Sequence, residues 1–176
     1  MRAWKLRIGD PLALTLAVDA RLDPVDYIND HIWELSLGSG EPLALSIQTT
    51  FGLRARAMRI FPWFSQENRI VTNPAAFYQP PFVSQFFPNL IRLSYSPYNG
   101  IDVISEYWVP LSQVLTCRTT ITNKSIIPIN LNSYWAAVLN PMDDGVGMTL
   151  DQDKNIRILH GSSSGLVPVF YLSENP

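Results

Sequence analysis

The stretch Ile91-Arg92-Leu93-Ser94-Tyr95-Ser96-Pro97-Tyr98-Asn99-Gly100-Ile101-Asp102-Val103-Ile104-Ser105-Glu106-Tyr107-Trp108-Val109 decides the fold. Ile91, Leu93 and Tyr95 alternate with polar residues before Asn99-Gly100. Alternation resumes after it, through Val109. Successive side chains of a strand point to opposite faces, so a period of two marks a strand with one buried face. Asn-Gly suits a tight hairpin connection, because both residues tolerate a left-handed backbone. The stretch therefore predicts an antiparallel hairpin. On its second arm Glu106 shares a face with Asp102, Ile104 and Trp108.

The same alternation extends in both directions. Trp4, Leu6 and Ile8 show it, as do Leu12, Leu14, Leu16 and Val18. Trp33, Leu35 and Leu37 repeat it, then Leu43, Leu45 and Ile47. Beyond the hairpin come Leu115, Cys117, Thr119 and Ile121. The longest run is Ile127, Ile129, Leu131, Ser133, Trp135, Ala137 and Leu139. Turn chemistry separates them at Gly38-Ser39-Gly40 and Asn123-Lys124-Ser125, both read as hairpin connections. Fourteen prolines and the lack of a sustained 3.6-residue apolar period leave little room for helix. The fold class is all-β, an antiparallel β-sandwich. Residues 61–88 interrupt the alternation with many aromatics and prolines. They are expected to run as short edge strands and ordered loops, and they are the candidate interface.

The 176 residues suit a single domain spanning 1–176. Charged residues are 16% of the chain, against about 25% in ordinary soluble domains. A surface so poor in charge is either covered by a partner or rich in Ser, Thr and Asn. The net charge of −2 and the absence of any Lys/Arg run exclude nucleic acid as an expected partner. Cys117 alone provides neither a disulfide nor a multi-cysteine zinc site. No apolar run is long enough to span a bilayer, and the start lacks an apolar signal core. A cytoplasmic location and no membrane contact are the expectations.

Sites for chemistry are few. Asp151-Gln152-Asp153-Lys154-Asn155 begins like a calcium loop, but Ile156 stands where that loop needs Gly. A hairpin between Met148–Leu150 and Ile156–Leu159 explains it better. Gly161–Gly165 lacks the Lys-Ser/Thr of a phosphate loop, and no nucleophile elbow is present. His31 and His160 both read as strand-end or turn residues. A sugar epimerase of the mutarotase type needs a His acid and a Glu base on such a sandwich, and these two are the only histidines. No metal, cofactor or catalytic residue is assigned. Arg54, Arg56 and Arg59 lie within six residues. They suit a carboxylate of a neighbouring domain, glycan hydroxyls, or a polar sheet face whose stems cover apolar surface. Trp63, Tyr78 and Trp108 are the candidates for stacking on sugar, which needs exposed coplanar rings.

Ser105-Glu106-Tyr107-Trp108-Val109-Pro110 leads through Val114 and Arg118 to Ile121-Thr122-Asn123-Lys124-Ser125 and the strand from Ile127. This order resembles the N-terminal supersandwich domain of bacterial six-hairpin glycosidases, the glycogen-debranching-like and glucoamylase-like glycoside hydrolases. Gln48-Thr49-Thr50-Phe51-Gly52-Leu53-Arg54-Ala55-Arg56 is similar to the same group. The resemblance implies a galactose-mutarotase-like sandwich and a cytosolic glycosidase as parent. It also implies a C-terminal catalytic (α/α)6 barrel as partner, oligosaccharide as a further one, and catalytic carboxylates in that barrel. The chain would then be truncated before the barrel. A self-standing carbohydrate-binding module and a mutarotase-like epimerase are the alternatives.

Overall fold

The computed structural model describes residues 4–5, 12–21, 24, 26, 30–37, 46–49, 57–140, 147–153, 156–162 and 169–173. These form fourteen strands and one turn of 3-10 helix at Pro74–Ala76, with no α-helix among the described residues. The chain is all-β, as its alternation requires.

The first sheet contains β1 (Trp4–Lys5), β7 (Gln79–Phe87), β8 (Leu90–Ser96), β9 (Ile101–Leu111) and β10 (Val114–Asn123), side by side in that order. From β7 onward it is a meander. The second sheet contains β2 (Leu12–Leu16), β3 (Trp33–Leu37), β4 (Ser46–Thr49), β5 (Ala57–Gln66), β6 (Arg69–Val71) and β11 (Leu131–Asn140). There β11 runs along one edge of β5, while β4 and β6 share the other. All these pairs are antiparallel. A third sheet consists of β12 (Gly147–Asp153), β13 (Ile156–Ser162) and β14 (Val169–Ser173).

One core lies between the first two sheets. Leu16, Trp33, Leu35, Leu37, Ile47 and Phe64 face it from one side; Val83, Ile91, Leu93, Tyr95, Val103, Tyr107 and Val109 from the other. An aromatic cluster joins the layers. Phe64 of β5 meets Tyr95 of β8 and Phe77 edge-on, at centroid distances of 6.1 and 6.0 Å. Phe77 stacks on Tyr95 at 5.4 Å. Polar clasps hold both ends. The Trp33 indole N–H donates to the Ser112 carbonyl at 2.9 Å, tying β3 to the β9–β10 turn. The Tyr98 hydroxyl lies 3.0 Å from the Phe64 carbonyl and 2.6 Å from that of Arg69.

The hairpin at Asn99-Gly100 is present, with Leu93 opposite Ser105 and Tyr95 opposite Val103. Gly100 has φ of +81°, the left-handed backbone that glycine adopts without strain. The β12–β13 hairpin also matches the reading of Asp151–Asn155, with Asp153 opposite Ile156.

Three expectations are corrected. Asn123-Lys124-Ser125 is not a hairpin; it is the crossing from one sheet to the other, since β10 pairs β9 and β11 pairs β5. The cause is local. The Asn123 side-chain oxygen accepts from the Ser125 N–H at 2.8 Å, and its amide donates to the Ile127 carbonyl at 2.8 Å. This side-chain turn bends the chain away instead of folding it back. The long run from Ile127 begins its strand only at Leu131, because Pro128 cannot supply a ladder N–H.

Residues 61–88 are only in part the short edge strands and loops expected: β6 pairs with β5 alone, and residues 72–78 connect strands through the 3-10 turn. The stretch also includes most of β5 and all of β7, both flanked on two sides. Their prolines sit where a ladder tolerates them. Pro80 and Pro81 fall in a break in the β7–β8 register, and Pro62 lies between the β5 residues that pair with β4 and β6. Phe64 and Phe77 of this stretch are core, which removes them from any interface. Leu6, Ile8, Gly38-Ser39-Gly40, Leu43, Leu45 and the Thr50–Arg56 part of the second resemblance lie outside the described residues.

Candidate functional site: the outer face of the first sheet

Three hairpin-linked strands carry the site. Opposite each other on the outer face stand Arg92 of β8, Glu106 of β9 and Arg118 of β10. One residue pair further along, Phe87 of β7, Leu90, Trp108 and Thr116 form a parallel row. Residues two apart on a strand are about 6.5–7 Å apart, so the charged and apolar rows are neighbours.

Glu106 holds the charged row together. Its Oε1 accepts from Arg92 Nε at 2.9 Å and also from Arg92 Nη2. Its Oε2 accepts from Arg118 Nε at 2.8 Å and Nη2 at 2.5 Å. The carboxylate keeps only 13% of its side-chain exposure, whereas Arg118 keeps 70%. Hydrogen bonds from Arg92, then those from Arg118, hold the Glu106 carboxyl below its ordinary range. With two guanidinium groups on one carboxylate the row carries a net positive charge. Trp108 and Phe87 beside it are about half exposed.

The strand face read from the sequence is the observed one: Asp102, Ile104, Glu106 and Trp108 point outward, while Val103, Ser105, Tyr107 and Val109 are buried. Arg92 was missed as a partner, although the hairpin contained the signal. Arg92 and Glu106 are equidistant from Asn99, and Glu106 and Arg118 are equidistant from Ser112. A tight turn fixes which residues face each other.

The other candidates are dispersed. Arg54 and Arg56 lie outside the described residues. Arg59 stands on β5 opposite Val138, with its side chain outside the description. Trp63 is half-buried on the outer face of the second sheet, its ring 5.0 Å from that of Tyr134 directly opposite. Tyr78 is exposed just before β7. Trp63 and Trp108 thus stand on the outer faces of different sheets, and the three rings form no common platform. His31 packs its ring 5.9 Å from Trp33, and its backbone N–H donates to Ser112 Oγ at 2.6 Å. His160 lies on β13 opposite Thr149 and Val169. Among the described residues no three His, Cys, Asp or Glu side chains gather as a metal site, and no helix is long and apolar enough to cross a membrane.

Cys117 points to the inner side of β10 opposite Tyr107, and burial pushes its thiol up to about 12. The thiolate is the reactive form. A thiol-specific reagent at pH 8 is therefore expected to label the native protein much more slowly than the urea-unfolded chain. Rapid labelling without denaturant would contradict this placement.

The chain matches no protein-family profile, no curated protein and no solved structure.

Proposed function

We propose that this chain is a non-catalytic β-sandwich module of a glycoside hydrolase, one that braces the catalytic barrel and contributes to holding carbohydrate. The observation that carries the reading is the outer face of the first sheet, where exposed Trp108 and Phe87 border the Arg92–Glu106–Arg118 row. An aromatic face offers flat apolar area to a sugar ring, and guanidinium N–H groups donate to hydroxyls. Exposed apolar patches rimmed by polar groups mark interaction sites. The state of Glu106 favours binding over chemistry. A general acid for glycoside cleavage needs a raised pKa and a second carboxyl across the bond. Glu106 has a lowered one, and both its oxygens are already occupied. The glycosidase parent and its barrel come from the sequence resemblance.

Calorimetric titration of the protein with oligoglucans tests the reading. Binding is expected, with Trp108→Ala weakening it about tenfold, or about 1.4 kcal/mol. No binding to any glucan, or binding indifferent to Trp108→Ala, removes the carbohydrate role. Hydrolysis of an aryl glycoside that Glu106→Gln abolishes would show instead that the face is catalytic.

A further inference from the structure

Trp108 on β9 and Thr116 on β10 are both exposed and stand directly opposite each other. Arg118 follows Thr116 by two residues on the same outer face, which makes it the diagonal neighbour of Trp108, about 7–8 Å away. A guanidinium carries five N–H groups. Arg118 donates to Glu106 Oε2 from Nε and from Nη2, and its Nη1 donates to no group among the described residues. The Arg118 side chain keeps 70% of its exposure, so these remaining N–H groups meet solvent. Glu106 already holds the guanidinium in place, and a group fixed beforehand loses little freedom when it takes a ligand. Charge on this part of the face is unbalanced. Arg92 and Arg118 share the single carboxylate of Glu106. The other acidic residue on β7 to β10 is Asp102, which accepts from Ser96 Oγ at 3.0 Å. It lies four residues from Glu106 along β9, about 13 Å. That exceeds the Debye length of about 8 Å in physiological salt.

We propose that this face prefers an acidic carbohydrate, an oligosaccharide containing uronic acid, over a neutral one. The proposal rests on the carbohydrate reading above and narrows it to a charge class. One sugar ring stacks on Trp108, the Thr116 hydroxyl meets a ring hydroxyl, and Arg118 takes the carboxylate at the ring's edge with its unused N–H groups. The spacing fits. The apolar and charged rows are about 6.5–7 Å apart. An exocyclic carboxylate followed by one charge-assisted hydrogen bond of about 2.8 Å spans that gap from the ring centre. Hydrogen bonds between two charged groups are roughly twice as strong as those between neutral ones. A neutral sugar offers Arg118 only a hydroxyl at the same place. An acidic peptide supplies carboxylates but no sugar ring for Trp108, so the aromatic row and the positive row together favour the sugar acid.

The test is calorimetric titration of the full chain with a galacturonate tetramer, a mannuronate tetramer and the methyl ester of each. Esterification removes the charge and keeps the sugar. At least one acid is expected to bind about tenfold more tightly than its ester. Raising the salt from about 10 mM to about 1 M should erase most of that difference. Arg118→Gln should reduce the preference to about twofold or less. Arg118→Lys keeps the charge and should retain most of it. Trp108→Ala should weaken acid and ester alike. Acids that bind no more tightly than their esters in both pairs overturn the preference, and binding of the esters or of an oligoglucan through Trp108 then leaves the carbohydrate reading standing. Absence of binding by every sugar, the oligoglucans included, removes both. Polyglutamate that binds as tightly as the oligouronates, with no effect of Trp108→Ala, shows that charge alone attracts and also overturns the proposal.

Discussion

Phe64→Ala is expected to destabilise the protein by about 3–5 kcal/mol, the usual cost of emptying a large buried aromatic site. Phe64 is fully buried and lies on β5 of one sheet against Tyr95 of the other. Its removal leaves a cavity between the layers and deprives Phe77 and Tyr95 of an edge-on partner. The surrounding strands cannot collapse into the gap, because β5 is held on both edges. Urea unfolding provides the measurement: the midpoint should fall with the slope unchanged. Phe87→Ala, on the exposed outer face, is the control and should cost less than about 1 kcal/mol. Equal costs at the two positions would contradict the packing of the two sheets.

Glu106→Gln has the second large effect, and it has a signature in pH. The substitution keeps the shape but removes the charge that separates Arg92 from Arg118. Hydrogen bonds to a charged group are each worth about 1.5–3 kcal/mol net. Arg118 is 70% exposed, so solvent discounts its half of the row. The expected loss at pH 7 is about 1–3 kcal/mol, with Arg92→Ala costing more than Arg118→Ala. The folded carboxyl titrates below its ordinary value of 4.5. Its stabilisation is therefore complete above about pH 4.5 and is lost as the pH falls through the folded pKa. In Glu106→Gln that part of the acid slope should be absent. A variant with the same slope as the wild type would show that Glu106 is not held by the two arginines.

Much of this architecture was legible in the sequence, and the reasons are specific. Asn99-Gly100 fixed a hairpin, and the alternation around it fixed which side of β9 is buried. The same rule placed Trp33, Leu35 and Leu37 in the core. Alternation reports a strand's faces but not its neighbours. It therefore gave no warning that Asn123–Ser125 crosses between sheets, a choice made by the hydrogen bonds of one asparagine side chain. Proline misled for a related reason. Pro62, Pro80 and Pro81 argued against central strands, yet a register break and a gap between partners accommodate them. The charged and aromatic outer face was half visible. Trp108 and Glu106 stood out on one strand, but Arg92 and Arg118 join them only through pairing, which needs the turn positions on both sides. Trp63 and Tyr78 share the aromatic character of Trp108, and composition alone cannot separate residues that the fold sends to different faces.

We propose that this sandwich binds carbohydrate through the outer face of its first sheet. The most direct test is to follow backbone and indole resonances of the protein while an oligoglucan is added. The account predicts shifts concentrated on Phe87, Leu90, Arg92, Glu106, Trp108 and Arg118, absent in Trp108→Ala. Shifts confined to Trp63 and Tyr134 on the opposite face, or none at saturating sugar, would contradict it.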